Sequence, residues 1–225
     1  MNIPHLVFVG ADKGGVGKTM LSRALLGYYG ANGIDFRAFD TQSPSGGLQR
    51  FFPGRAQIVD ITKSTDQVKV FDDLASTQVT VVDVCAGLLS PTLKTLDVVG
   101  FFDAAKQNKL RITVLHVVGP ATQSLDEIKP VMAALAGSKH VVLANHIDDT
   151  AYDVPAGALN SPRLDGEAAK AVDAVAQPFH DFIGSQASFV LRGYTRSWLK
   201  DVFAQFDAAQ LNNLACYTDK SPSGL

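Results

Sequence analysis

Two lysines, Lys13 and Lys18, lie five residues apart in the stretch "GADKGGVGKT", with Gly14, Gly15, Val16 and Gly17 between them and Thr19 and Met20 directly behind. The apolar run "HLVFV", His5 to Val9, precedes this stretch, and a helical pattern from Lys18 to Tyr29 follows it. A strand, a glycine-rich turn and a helix in that order form a site for phosphate. The glycines let successive backbone N–H groups face one concavity, and the helix adds its positive N-terminal end. In that setting Lys18 reaches the β and γ phosphates of a nucleotide and the Thr19 hydroxyl takes a place on Mg²⁺. A glycine-rich turn with incidental lysines is the competing reading, and the flanking strand and helix count against it. The usual pattern also asks for a glycine five residues before Gly17, where this chain has Asp12 followed by Lys13.

That departure carries information. "KGGVGKT" resembles the deviant Walker A motif of the ParA/MinD family of P-loop ATPases. The resemblance implies that Lys13 crosses a dimer interface to the nucleotide held by a second subunit, so that each ATP is sandwiched between two chains. Three further positions extend it. "DFRAFDTQSPSGG" is similar to the family's first switch, with Ala38 in place of its first aspartate and Thr41 in place of its proline; the likeness gives Asp40 the task of orienting water or a Mg²⁺-bound water. Asp40 as a plain cap on a strand end remains the alternative. "VTVVDVCAG" ends its apolar run in Asp83, the Walker B position, where a carboxylate at the carboxyl end of a parallel strand accepts from metal-bound water. The residues that follow, Val84 to Gly87, depart from the family, and Cys85 reads as a small buried filler. "HVVLANH" ends in Asn145, where the family sets an asparagine against adenine, and "AQPFH" offers Pro178 and Phe179 as a cover for the base. For Asn145 a strand-end cap is the alternative, and for Pro178 and Phe179 core packing and a helix start. Lys13, Lys18 and Asp40 are thus the expected catalytic residues. Gly14 to Met20 with Asn145, Pro178 and Phe179 form the expected nucleotide site, and Thr19, Asp40 and Asp83 the expected Mg²⁺ site.

The elements that must position these residues alternate as βαβ units, which predicts an α/β fold of the P-loop NTPase type, a mostly parallel twisted sheet with helices on both faces. Strands are predicted over 5–9, 36–40, 78–83, 110–118 and 140–145, with an edge strand over 57–61. Helices are predicted over 18–29, 64–75, 91–106, 124–136, 167–176 and 197–206. Pro91 suits a first helical position and Gly137 a helix stop. The turn-rich segment 146–166 reads as a loop. One domain spans 1–217, with 218–225 as a disordered tail.

Composition narrows the class. With 225 residues, 46% of them hydrophobic, the chain can bury a substantial core in one domain, and 20 basic against 22 acidic residues create no global field for nucleic acid or anionic lipid. Two distant cysteines, Cys85 and Cys216, exclude a disulfide framework and a CxxC metal motif, and they set aside the iron–sulphur branches of the family. No apolar run reaches the roughly 18 residues of a membrane span, and the C-terminal sequence lacks a basic amphipathic helix, so a soluble cytoplasmic protein without a membrane role is expected. Without a helix-turn-helix extension the chain is similar to the small ParA type. It implies an ATP-dependent homodimer that positions DNA or protein cargo under a ParB-like activating partner, or a TraL-like accessory ATPase of conjugal transfer. Arg192, Arg196 and Lys200 recur every four residues opposite the apolar stripe of Trp198, Leu199, Val202, Phe203 and Phe206. They are either a non-specific DNA contact or the solvated side of a surface helix. A rival class is an ATP-dependent metabolic enzyme that holds its substrate on the 146–166 loop around His146, Asp148 and Asp149.

Overall fold

The structure, a computed structural model, describes residues 3–11, 13–120, 128, 132, 137–154 and 156–214. Its strands are β1 (His5–Gly10), β2 (Phe36–Asp40), β3 (Ala56–Ile58), β4 (Val79–Asp83), β5 (Arg111–Val118), β6 (Lys139–Asn145) and β7 (Leu159–Ser161). The described helices are α1 (Lys18–Ala31), α2 (Ser64–Phe71), α3 (Leu89–Val98), α4 (Phe101–Lys106), α5 (Gly166–Ala174), α6 (Phe179–Gly184) and α7 (Phe189–Ala208).

All seven strands join one sheet in the order β3-β2-β4-β1-β5-β6-β7, and every pairing is parallel. Parallel strands covered on both faces read as continuous apolar runs rather than alternating ones. In β1 every residue is buried, yet consecutive side chains serve different cores. Val7 and Val9 pack with Leu25, Trp198 and Phe206 under α1 and α7, whereas Leu6 and Phe8 pack with Val70, Leu93 and Phe102 under α2, α3 and α4. The two edge strands have three residues each, which limits the backbone left open to another chain. From β1 the chain runs outward to β2 and β3 and returns to place β4 against one side of β1. β5 then takes the other side. Ligands of open α/β sheets bind at such a reversal, outside the carboxyl ends of the strands.

The structure corrects several expected boundaries. The helix expected over 91–106 is two helices, broken where Gly100 takes a left-handed φ of 83°. Pro91 is the third residue of α3, still inside the first turn where its missing N–H does no harm. The loop expected over 146–166 contains β7, whose Leu159 to Ser161 pair with Leu143 to Asn145. The last helix starts eight residues earlier than expected and runs through Gly193. Of the helix expected over 124–136 only Ile128 and Met132 are described, both helical, and Cys216 and the tail 218–225 lie outside the described residues.

Candidate nucleotide site

The loop from β1 to α1 is shaped by two glycines. Gly15 and Gly17 take φ values of 74° and 85°, a region that side-chain-bearing residues rarely enter. Gly17 is required a second time, because a Cβ there would lie 2.1 Å from the Asn145 amide nitrogen. Asn145, at the end of β6, is almost fully buried and donates that amide to the Val16 carbonyl at 2.8 Å. Lys18 curls back so that Nζ donates to the Lys13 carbonyl at 2.7 Å. The start of α1 has no side-chain cap and no acid in its first turn, so its N–H groups and positive end remain available to an anion. The start of α5 is different, since Asp165 accepts from the N–H groups of Glu167 and Ala168.

A cleft of about 350 Å³ opens over this loop. Gly14, Gly15, Gly17, Lys18, Thr19 and Met20 form one wall, and Asp40 and Asp83 stand at its base. These two aspartates face each other in register at the ends of β2 and β4, and their surroundings differ. Asp83 accepts from the hydroxyls of Thr19 at 2.8 Å and Ser22 at 2.7 Å, side chains one helical turn apart on α1. Burial dominates, and it pushes the Asp83 carboxyl up to about 6 despite those hydrogen bonds. Asp40 instead accepts three backbone N–H groups, from Gln42 at 2.9 Å, Leu48 at 2.6 Å and Gln49 at 3.1 Å. Its carboxylate therefore gathers the loop after β2 around itself, which is the capping reading extended over nine residues of chain.

Thr41, next to Asp40, ties that loop to the one after β4. Its N–H donates to the Asp83 carbonyl at 3.1 Å, its hydroxyl donates to the same carbonyl at 3.2 Å, and the hydroxyl accepts the Cys85 N–H at 2.7 Å. A proline here could make none of the three. Ser22 is not among the site residues expected from the sequence, although the three-residue spacing of Thr19 and Ser22 puts both hydroxyls on one helical face, and Thr41 is expected only as a departure from the family's proline. Cys85 is also not the buried filler expected: it is half-buried and lines the cleft together with Gln42 and Ala86.

Other expected site residues lie elsewhere. Lys13 is half-buried, and its side chain does not line the cleft of its own chain. Val16 is buried beneath the loop. Phe179 is a core residue, with the Arg23 guanidinium 4.3 Å above its ring and Trp198 against it. The other face of Arg23 meets Phe51 at 3.4 Å, and burial lowers its pKa to about 9. Neither Pro178 nor Phe179 reaches the cleft. Around the 146–166 segment, Asp149 pairs with Arg163 at 2.6 Å and Asp148 caps the Thr150 N–H, so these carboxylates serve the loop itself. Arg192 donates to the Ile183 carbonyl at 3.2 Å, which takes it out of the expected three-cation stripe.

Solved structures share this architecture. MinD cell division protein from Aquifex aeolicus aligns over 88% of this chain and 97% of its own, with TM-score 0.52 and 14% identity. A ParA family ATPase from Chlorobium tepidum TLS aligns over 87% and 99%, with TM-score 0.53 and 13% identity. The fold is that of the ParA/MinD P-loop proteins. The MinC:MinD cell division protein complex of Aquifex aeolicus gives a similar match, with TM-score 0.51 and 15% identity over 88% of this chain and 96% of that one. No family model matches the sequence, and no curated protein does. The ParA/MinD likeness thus rests on backbone geometry and on the short motifs. Among the described residues no helix is long and apolar enough to cross a membrane, and no group of three His, Cys, Asp or Glu side chains could hold a metal.

The donor set nevertheless suits Mg²⁺ of the kind that keeps most of its water and takes oxygens from phosphate. Thr19 and Asp83 offer a hydroxyl and a carboxylate in mutual contact, and Asp83 is a buried acid whose ionised form a cation would stabilise.

Proposed function

We propose that this chain is an ATPase that works as a dimerisation switch, and the divergent orientation of its two P-loop lysines carries that reading. Lys18 is folded into the loop and lines the cleft. Lys13 gives only its carbonyl to the loop and directs its side chain elsewhere. A loop that served one subunit would have no use for the second ammonium. In the proposed dimer it meets the terminal phosphate held by the opposite chain.

Each remaining residue then has a defined task. The α1 N–H groups and Lys18 bind and orient the phosphates. Thr19 and Asp83 would hold Mg²⁺, which neutralises charge on the phosphate oxygens during transfer. Asp40 fixes the first switch loop through its three N–H partners, and Thr41 makes that loop move with the one after β4. Loss of the γ phosphate removes the group both subunits share, and the dimer separates. The likeness to MinD and ParA proteins supports a cargo-positioning role driven by a partner protein. Asn145 comes near the base only if nucleotide binding releases its bond to Val16.

Size-exclusion chromatography with light scattering tests the switch. Wild type with ATP and Mg²⁺ should double in mass. Lys13→Ala should keep its nucleotide affinity yet stay monomeric. An unchanged wild-type mass under saturating ATP would refute the proposal.

A further inference from the structure

On the far side of α1 from the cleft, a groove of about 510 Å³ runs between α1, α6 and α7. Leu199 and Phe203 of α7 and Ile183 of α6 supply apolar surface. α1 leaves the groove open because it presents Gly27 there: a Cβ at Gly27 would touch only the tip of the Phe203 ring, at 3.9 Å. A further exposed apolar side chain lies outside the groove. Phe189 lies seven residues, or two helical turns, before Arg196 and is 79% exposed. From Phe189 to Phe203 these apolar side chains span about 21 Å at roughly 1.5 Å per residue.

One wall of the groove is cationic. Arg196 and Lys200 stand one turn apart on α7, both are exposed, and neither forms an ion pair among the described residues. Like charges at this spacing repel, so the arrangement gains nothing for the helix itself. Asp207, the acid at the groove's end, already accepts the Tyr28 hydroxyl at 2.5 Å. A nucleic acid backbone would satisfy two cations and leave the apolar surface beside them without a partner, because its affinity comes from phosphate contacts. An amphipathic helix satisfies both, by laying a Leu- or Phe-rich face into the groove and acidic residues along Arg196 and Lys200.

We infer that the α1–α6–α7 groove is the docking site for an amphipathic helix of a partner protein, with an apolar face and acidic flanks. This inference goes beyond the nucleotide switch and does not depend on it. The test uses the full chain and a phage-displayed library of 18-residue helices. Face positions vary among Leu, Phe, Ala and Ser, and flank positions among Glu, Gln and Lys. Selection should enrich Leu or Phe on the face and Glu on the flank. The winning peptide should bind at least tenfold more weakly to Ala204→Trp, which plugs the groove from an exposed position, and to Arg196→Glu/Lys200→Glu. Its Lys-flanked version should regain binding to the charge-reversed variant. Thermal melts of both variants confirm that each is folded. The inference is overturned by selection no stronger than against Ala204→Trp, or by enrichment of Lys flanks. It is also overturned if a 30-base-pair DNA duplex binds in a way that needs Arg196 and Lys200 but ignores Ala204→Trp.

Discussion

Helix α1 borders two concave surfaces built by opposite means. At its N-terminal end the cleft is made of backbone: glycines at positive φ, uncapped N–H groups, and loops held by Asp40 and Thr41. Toward its C-terminal end the groove is made of apolar side chains, and it exists because Gly27 brings none. The first surface has its polar groups arranged before any ligand arrives. The second keeps two like charges, Arg196 and Lys200, that form no ion pair among the described residues. A preorganised polar cleft suits a small, highly charged ligand, whose binding needs fixed donors. An apolar groove with unspent charge suits a macromolecular partner, whose affinity comes from a few buried apolar anchors and whose specificity comes from charge.

Substitutions in the cleft should therefore have large effects on ligand and stability, and those at the groove wall should leave the fold untouched. The largest change is expected for Lys18→Ala, which removes the ammonium that closes the loop and that, in the proposed function, meets the phosphates. ATP affinity, read from a fluorescent analogue, should fall about a hundredfold, as losing charged hydrogen bonds of about 3 kcal/mol implies. A loss of less than about threefold would mean that the phosphates bind elsewhere.

Next comes Asp83→Asn, which should stabilise the protein in the absence of divalent cations. The native Asp83 carboxyl lies near 6, above its value of about 4 in an unfolded chain, so between these limits the native state holds more protons than the unfolded one. Ionised Asp83 therefore costs stability above about pH 6, and that cost fades as the pH falls toward 4. The gain from Asn should reach about 3 kcal/mol at pH 7 and vanish near pH 4. Urea melts in EDTA at the two pH values decide it, and a gain independent of pH would contradict the burial argument.

A smaller effect is expected for Thr41→Val, which keeps the side chain's shape but leaves the Cys85 N–H without an acceptor. Stability should drop by about 1 to 2 kcal/mol. Phosphate release should slow while nucleotide affinity stays within about twofold, because the wall proposed to bind phosphate is untouched. Thr41→Ser should restore both. The smallest effect belongs to the groove: Arg196→Glu/Lys200→Glu should melt within about 0.5 kcal/mol of wild type and bind ATP equally well. A large destabilisation there would make the two cations part of the fold.

The cleft's first wall was legible in the sequence because its function depends on backbone conformation, which local residue types control. Gly15, Gly17, Lys18 and Thr19 are close in sequence and close in space. Asp40 and Asp83 were legible for a related reason: each ends an apolar run, and parallel strands in register bring such ends together. Less could be read at Asn145. Its position at a strand end was visible, but its amide bond to Val16, 129 residues away in sequence, depends on β6 lying two strands from β1. Phe179 looked equally like a base contact and a core residue. Only the stacking of Arg23 between Phe51 and Phe179 decided between them.

By itself, the sequence determined the alternation of strands and helices, the glycine-rich loop after β1 and the signs of the charges along α7. These follow from short-range sterics, from the periodicity of apolar residues and from residue type. Tertiary structure alone decided which partner each buried polar group found: Asp40 with three N–H groups, Asp83 with two hydroxyls, Thr41 with the neighbouring loop, and Arg192 with a carbonyl. Hydrogen bonds are directional and act over about 3 Å, so they exist only after packing has brought distant segments together. The same packing left Arg196 and Lys200 beside an apolar groove, a pairing of charge and surface that no local stretch of the chain contains.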